Sequence, residues 1–387
     1  MMRRSRKRLA VLALAAFLPF LLSGCWDYRE IESLTLVSGV AIDPGYGGKL
    51  YHITFECVQI NGDQKGGSTQ PWVIEADGDT VFEAERDALQ VSEKKLYFNP
   101  CRVVVLSEEL AREGIRPVLD WFLRDAEPRI TMEFVVSRAA TASEILKQQA
   151  QTGQLNAYII SDLIRGTTDF SGEVAQTRLY KINNILNADD GLSLILPGVK
   201  VSETSGEAKL KMCGTSVFRD DCLIGWLDDD QTEFLNFIRN RISEGLIITS
   251  DSSDNGKISL EILKSHTSVK PEVEGDSVQM KIGIHVETAM GERQSHRDLP
   301  GEESIANAER EAEKTLTKGI CSLVSEVQTR YGSDIFGFGD VVHKQNPEAW
   351  KKLQPVWNEV FRHLTCEPDV TVQIQNTALV NEEKDEK

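Results

Sequence analysis

The stretch ESIANAEREAEKTLTKGICSLVSEVQTRY, residues 303–331, decides the fold of the second half of the chain. Its apolar residues recur at three- and four-residue steps, which predicts one amphipathic helix; they are Ile305, Ala308, Ala312, Leu316, Gly319 or Ile320, Leu323 and Val327. At about 1.5 Å per residue, this helix is roughly 40 Å long. Because that length can cover a whole sheet, we expect an α+β fold with mixed sheets and flanking helices.

The segments on either side of this helix are predicted to supply the sheet. Before it we expect a hairpin, a helix and three strands, which are Lys209–Phe218 with Cys222–Leu227, Thr232–Ile242, Leu246–Thr249, Ile258–Leu263 and Val278–Val286. After it we expect a glycine-rich turn, a helix and a last strand, which are Phe336–Gly339, Pro347–Leu364 and Val370–Thr377. The acidic run Asp228–Asp230 lacks the ligand spacing of an EF-hand and favours a helix N-terminus through the dipole.

Strands and helices alternate in the first half of the chain. The predicted strands are Leu34–Ile42, Tyr51–Cys57, Cys101–Leu106 and Ile130–Ser137. The predicted helices are one capped by Thr80 and reaching Leu96, Ile115–Ala126, one capped by Thr141, Ala157–Arg165 and Arg178–Asn187. This order predicts an α/β type of N-terminal half.

The length and the change of pattern predict more than one domain. A chain of this size exceeds what one hydrophobic core serves. We expect an N-terminal α/β-type part over residues 25–198 and a C-terminal α+β part over residues 199–380, followed by a tail over residues 381–387. The polar loop Ser250–Gly256 suggests a further subdivision near residue 250.

The first 24 residues have the layout of an export signal. Five basic residues between Arg3 and Arg8 precede the apolar run Leu9–Leu22, which is too short to span a bilayer. The exit Leu22-Ser23-Gly24-Cys25 matches the lipobox of bacterial lipoproteins. We therefore predict cleavage after Gly24 and a diacylglyceryl thioether on Cys25. The alternative is an ordinary signal peptide cleaved nearby, with an incidental cysteine.

Charge and motifs narrow the classes of function. Removing the five basic residues of the leader from 43 leaves 38 against 60 acidic ones, a net charge of −22. Such a surface argues against nucleic acid and bare anionic lipid as partners, since both require a basic patch. The sequence holds no HExxH, GxSxG or Walker motif, so it predicts no enzyme, no metal and no cofactor.

Six cysteines remain after Cys25, an even number that permits disulfides in an exported chain. They are equally compatible with small buried apolar side chains. Cys213 and Cys222 flank a predicted hairpin turn and form the first pair to test.

Several motifs together resemble the Ger(x)C family, the lipoprotein subunits of nutrient germinant receptors in endospore-forming bacteria. They are Cys25-Trp26-Asp27-Tyr28-Arg29-Glu30-Ile31, Asp120-Trp121-Phe122-Leu123-Arg124-Asp125, Ile335-Phe336-Gly337-Phe338-Gly339, Pro347-x-x-Trp350, Trp357-x-x-x-Phe361 and Val370-Thr371-Val372-Gln373-Ile374. The family usually places a proline after the last phenylalanine, whereas Arg362 and His363 follow here.

The resemblance implies a non-enzymatic subunit with an α+β fold of about three domains. It implies a lipid-anchored position on the outer face of the spore inner membrane, with two polytopic membrane subunits as partners. We predict partner contacts at Trp26, Asp27, Arg29 and Glu30, the alternative being a flexible tether. A solute-binding lipoprotein of an ABC transporter is the alternative function, although that class normally shows two lobes of repeated βαβ units.

Overall fold

Residues 33–376, except 61–68, 149–152, 205, 252–255, 276 and 295–301, are described by a computed structural model and build two β-sheets with flanking helices. This confirms the α+β class with mixed sheets. The predicted signal peptide, Cys25 and the four predicted contact residues lie outside the described residues.

The first sheet has nine strands in the order β3-β2-β1-β5-β6-β7-β8-β9, with β4 beside β1. The strands are β1 (Leu34–Pro44), β2 (Tyr51–Ile60), β3 (Thr69–Gly78), β4 (Lys95–Tyr97), β5 (Val103–Ser107), β6 (Glu133–Ser137), β7 (Ile195–Thr204), β8 (Glu207–Arg219) and β9 (Cys222–Leu227). β1, β4, β5, β6 and β7 run parallel, and the hairpin partners on both sides run antiparallel. Parallel strands are usually covered on both faces, and β5 and β6 are buried at every position.

Helices cover this sheet on its two faces. They are α1 (Val81–Ser92), α2 (Glu108–Glu113), α3 (Arg116–Arg124), α4 (Ala142–Leu146), α5 (Asn156–Phe170) and α6 (Leu179–Asn187). One core contains side chains of α1, α2, α3 and α6, and a second core contains Ile145 of α4 and Ile160 of α5. The predicted caps Thr80 and Thr141 accept hydrogen bonds from the amides of Glu83 and Glu144.

The second sheet has four strands in chain order, β10 (Gly245–Ser250), β11 (Lys257–Glu274), β12 (Ser277–Arg293) and β13 (Thr365–Asn376). The predicted long helix is α8 (Glu302–Glu326), whose last turn continues as a π-helix over Val327–Tyr331. Its Ala312, Leu316 and Ile320 are buried in one core with strand residues such as Leu260 and Ile282. Helix α8 therefore covers the second sheet, as the spacing predicts.

Helix α8 also protects an exposed sheet edge. The edge strand β13 would present free amides to any other chain. Glu309 Oε1 accepts a hydrogen bond from the Ile374 amide at 2.8 Å, and Glu313 Oε1 accepts one from the Val372 amide at 3.1 Å. The four-residue spacing of the two glutamates on the helix thus matches the two-residue spacing of the amides along the strand.

The remaining helices are α7 (Asp229–Ile238), α9 (Phe338–Gln345), α10 (Pro347–Leu353) and α11 (Trp357–His363). Helix α7 starts three residues before the predicted Thr232, because Asp228 and Gln231 form a reciprocal capping box at 2.8 and 3.0 Å. The prediction of one helix over Pro347–Leu364 is wrong. A 3-10 turn over Gln354–Val356 divides it, since Pro355 lacks an amide hydrogen and disfavours a continuous helix.

Strand β7 spans residue 198, so the predicted domain boundary falls inside it. The division of the chain at that point remains a prediction.

The six cysteines from Cys57 to Cys366 are free, and Cys57, Cys101 and Cys213 are buried. Cys213 and Cys222 do not form a disulfide.

Candidate functional site: a carboxylate-bound turn between the two sheets

The glycine-rich turn of the Ile335–Gly339 motif lies where the two halves meet. It begins at Asp334, a fully buried carboxylate that precedes α9. Asp334 Oδ1 accepts hydrogen bonds from the amides of Phe336, Gly337 and Phe338 at 3.1, 2.9 and 3.2 Å. Its Oδ2 accepts from the amide of Gly339 at 2.7 Å and from an indole nitrogen described below. One side chain therefore fixes the whole turn.

Burial and hydrogen bonding act on Asp334 in opposite directions. Loss of solvent raises the pKa of the carboxyl above its ordinary value and is the largest effect. The amides and the indole favour the charged form and offset part of that rise. Asp334 is therefore a buried acid whose oxygens are satisfied by donors, which is the arrangement that makes a buried carboxylate tolerable.

The two aromatic residues of the turn point into the core. Phe336 and Phe338 are buried and their rings stack at 5.0 Å. Gly337 adopts a φ of 83°, a conformation that glycine takes without strain. A Cβ on Gly339 would lie 2.4 Å from the carbonyl oxygen of Asp190, so this position requires glycine for close backbone approach.

Two tryptophans from the divided helix complete the turn. Trp357 donates its indole hydrogen to Asp334 Oδ2 at 3.1 Å, and its ring meets Trp350 edge to face at 5.1 Å. A Cβ on Gly191 would approach Trp357 Cδ1 to 2.5 Å. Ser193, just before β7, donates its amide to the Asp334 carbonyl at 2.8 Å. The turn is therefore hydrogen-bonded directly to the loop between α6 and β7 of the first half.

Cavities lie on both sides of this turn. One, of about 750 Å³, is lined by Arg116, Arg219, Trp350 and Trp357 among others. Another, of about 630 Å³, is lined by Lys181, Arg239, Arg241, Asn236 and Phe336 among others. Burial lowers the pKa of Lys181, and the nearby charges of Arg241, Arg178 and Arg239 lower it further. Burial also lowers the pKa of Arg239 to about 10.

The sequence motif located this turn but missed Asp334. The available signal was its position, since an aspartate two residues before a Phe-Gly pair can accept hydrogen bonds from the following amides and form a turn.

His363 lies exposed and contacts Glu359 at 3.0 Å. Across residues 33–376, within the described ranges, no group of three or more His, Cys, Asp or Glu side chains is placed to hold a metal ion. In the same part of the chain, no helix combines the length and apolarity that a bilayer crossing needs.

Both halves of the chain match families of known proteins. Residues 27–201 match the family described as spore germination protein N-terminal domain, and residues 213–378 match the one described as spore germination B3/GerAC like, C-terminal. Spore germination protein B3 of Bacillus subtilis (strain 168) is 26% identical over 375 residues, which cover 94% of this chain and 96% of the relative. Spore germination protein KC of the same organism is 27% identical over 400 residues, with 96% of each covered.

A solved structure supports the fold. The crystal structure of the GerBC protein has a TM-score of 0.60 and 20% identity, and covers 87% of this chain and 97% of that chain. Two family matches in chain order and relatives that align almost end to end give a consistent assignment. The chain therefore belongs to the Ger(x)C family of spore germination proteins.

Proposed function

We propose that this chain is the membrane-anchored lipoprotein subunit of a spore nutrient germinant receptor, and that it acts in assembly and signalling without catalysing a reaction. The observation that carries this proposal is the match of both halves, over residues 27–201 and 213–378, to spore germination families. The turn at Asp334 supports it, because the hydrogen bond from the Ser193 amide to the Asp334 carbonyl joins the first half to the second. A solute-binding role gains no support from these relatives.

The anchor and the partners are part of the proposal. Cys25 carries the diacylglyceryl group after cleavage behind Gly24, and two acyl chains suffice for stable attachment. The mature chain lies on the outer face of the spore inner membrane. Trp26, Asp27, Arg29 and Glu30 contact two polytopic membrane subunits, with the tryptophan favoured at the membrane interface.

A crosslinking pull-down from spore inner membranes tests this function. A tag at the C-terminus captures the native chain, a Cys25→Ala variant, and a Cys321→Ala variant that replaces an exposed cysteine as the control. We expect two polytopic proteins with the native chain and the control, and a reduced yield with Cys25→Ala. Recovery of an ATPase-linked permease, or of no membrane protein, would contradict the proposal.

The contact residues need a separate test. Replacing Trp26 and Arg29 together by alanine keeps the lipidation site and should lower the yield of both partners. Unchanged assembly in this variant would show that the segment is only a tether.

A further inference from the structure

The parallel strands β1, β5 and β6 all begin at one edge of the first sheet, which we call the amino edge. A cavity of about 710 Å³ opens there. It is lined by Leu34 and Leu36 at the start of β1, by Arg102 just before β5, and by Glu133 at the start of β6. The cavity therefore lies where the chain leaves its N-terminal segment and enters the sheet.

Four arginines line this cavity, Arg102, Arg129, Arg165 and Arg178. The Arg102 guanidinium lies 4.1 Å above the ring of Tyr158, and Arg129 Nε donates to Asn99 Oδ1 at 2.5 Å. Of these four arginines, only Arg165 forms an ion pair with another described residue, Asp162, at 3.2 Å. The expectation of a surface without a basic patch does not hold at this edge, although the whole chain has a net charge of −17.

Glu133 is the single acid among the described residues that line the cavity. It is 6% exposed, and its Oε1 accepts a hydrogen bond from Gln176 Nε2 at 2.6 Å. Its Oε2 is buried and has no hydrogen-bond partner within the described ranges. A buried acceptor without a donor is unfavourable, so this oxygen is suited to a hydroxyl group of a bound molecule.

The positive charge continues beyond the cavity. Arg178 is close enough to Lys181 to help lower the pKa of that ammonium, as are Arg239 and Arg241 of the neighbouring cavity. Further basic groups therefore lie around Lys181, outside this cavity.

An exposed apolar side chain stands beside the arginines. Ile130 is 60% exposed and lies between Arg129 and Thr131, both of which line the cavity. Basic residues next to an exposed apolar side chain are typical of surfaces that bind anionic membranes, where the charges meet headgroups and the apolar group meets the acyl boundary.

We propose that the amino-edge cavity binds the phosphate of an anionic phospholipid headgroup and holds this edge of the sheet against the membrane. The proposal rests on the proposed function, because it places the cavity near the lipid on Cys25. Leu34 is nine residues after Cys25, so the segment between them reaches at most roughly 30 Å. Guanidinium groups bind phosphate oxygens with paired hydrogen bonds, and a headgroup hydroxyl can donate to Glu133.

Ligand-dependent thermal unfolding of the full chain in a zwitterionic detergent tests this site. The probes are dioctanoyl phosphatidylglycerol, dioctanoyl phosphatidylcholine and inorganic phosphate. We expect phosphatidylglycerol to raise the unfolding temperature in a saturable way, with a much smaller effect of the other two. In an Arg102→Gln/Arg178→Gln variant the affinity should fall by about 30-fold, the loss expected for two basic residues at an anionic surface.

An Arg124→Gln variant is the matched control, since Arg124 is an exposed arginine of the same half that pairs with Asp120. If the double variant does not fold, Arg129→Gln is measured instead, because that side chain is exposed and, among the described residues, donates a hydrogen bond only to Asn99. Equal affinity of native and variant chains, or equal stabilisation by inorganic phosphate or phosphatidylcholine, would overturn the proposal. Because the assay needs neither lipidation nor partners, its failure is distinct from failure of the pull-down.

Discussion

The two halves of the chain bury carboxylates for different purposes. In the first half, Asp43 on β1 and Glu56 on β2 hold the N-termini of helices about 100 residues away in sequence. Asp43 accepts hydrogen bonds from the amides of Ala142 and Ser143 at 2.6 and 2.9 Å. Glu56 accepts from the amides of Asn156 and Ala157 at 2.6 and 3.0 Å. These acids fix tertiary structure.

In the second half, Asp334 bonds amides that lie two to five residues away. It fixes a local turn, and the turn then brings Trp357 and Ser193 to the junction. The difference shows that a buried carboxylate can organise either a long-range contact or a short loop. Which of the two it does is decided by where its donors lie along the chain.

The largest expected effect is at Asp334. Asp334→Ala leaves five donors without an acceptor in a buried site, so we expect the free energy of unfolding to fall by about 4 kcal/mol. Denaturant unfolding measures this. Asp340→Ala is the control, since it removes an ion pair with the exposed Lys344 side chain and should lose under about 1 kcal/mol. An equal loss in the two variants would contradict the role given to Asp334.

Glu56→Ala should be the next largest. It removes the acceptor for two helix amides and for the Ser38 hydroxyl at 2.7 Å, for an expected loss of about 3 kcal/mol. Hydrogen exchange should show faster exchange at Asn156 and Ala157, while the turn at Asp334 stays protected. Faster exchange at the distant turn as well would show that Glu56 and Asp334 do not act independently in the two halves. Asp120→Ala, at an exposed pair with Arg124, is the control.

A fourth carboxylate, Glu233, lies where the halves meet. Helix α7 contacts the first half through Asn236, which donates to the carbonyls of Gly172 and Val174 at 2.6 and 3.2 Å. Burial, then Glu173 and Asp230, raises the pKa of Glu233 from 4.5 to about 8. Because the pKa of Glu233 is raised in the folded protein, binding of its proton stabilises the fold. This contribution is fully present below pH 4.5 and is lost as the pH rises through about 8.

We therefore expect the free energy of unfolding to fall by about 2 kcal/mol between pH 5 and pH 9, a value reduced from the full shift because Glu233 is partly solvated. Glu233→Gln should remove most of this slope, and Glu244→Gln, at an exposed site, should keep it. Urea unfolding at a series of pH values measures the slopes. A slope that persists in Glu233→Gln would assign it to other groups.

The smallest effect is expected at the covered sheet edge. Glu313→Ala removes the acceptor for the Val372 amide, so we expect a loss of about 1 kcal/mol and faster exchange of that amide. Glu311→Ala, which removes an ion pair with the exposed Lys314 side chain, is the control. Identical exchange at Val372 in the two variants would show that the glutamate does not protect the edge.

Contacts between residues close together along the chain could be predicted from the sequence, whereas contacts between residues about 100 positions apart could not. The period of α8, the cap at Thr80 and the turn at Phe336–Gly339 all depend on neighbours within one or two turns of chain. Nothing in the spacing of Asp43 or Glu56 indicates helices 100 residues later. Strand β3 was missed because Pro71 and its polar start do not resemble a strand, although an edge position tolerates proline.

The amino-edge cavity was hidden for a related reason. Arg102, Arg129, Arg165 and Arg178 are widely separated in sequence and come together at the edge where β1, β5 and β6 begin. A net charge averages over the whole surface and cannot reveal such a local concentration. The division of the helix after Pro347 was predictable in principle, because Pro355 stands inside the apparent period.

The central place of β1 determines how the protein responds to a mechanical load. A pull on the segment before Leu34 acts along β1, which is hydrogen-bonded to β2 on one side and to β4 and β5 on the other. Ladder hydrogen bonds to the antiparallel partner lie across the strand, so this force shears many of them at once instead of opening them one by one. Tension on that segment would therefore be transmitted into the body of the sheet before the strand is extracted.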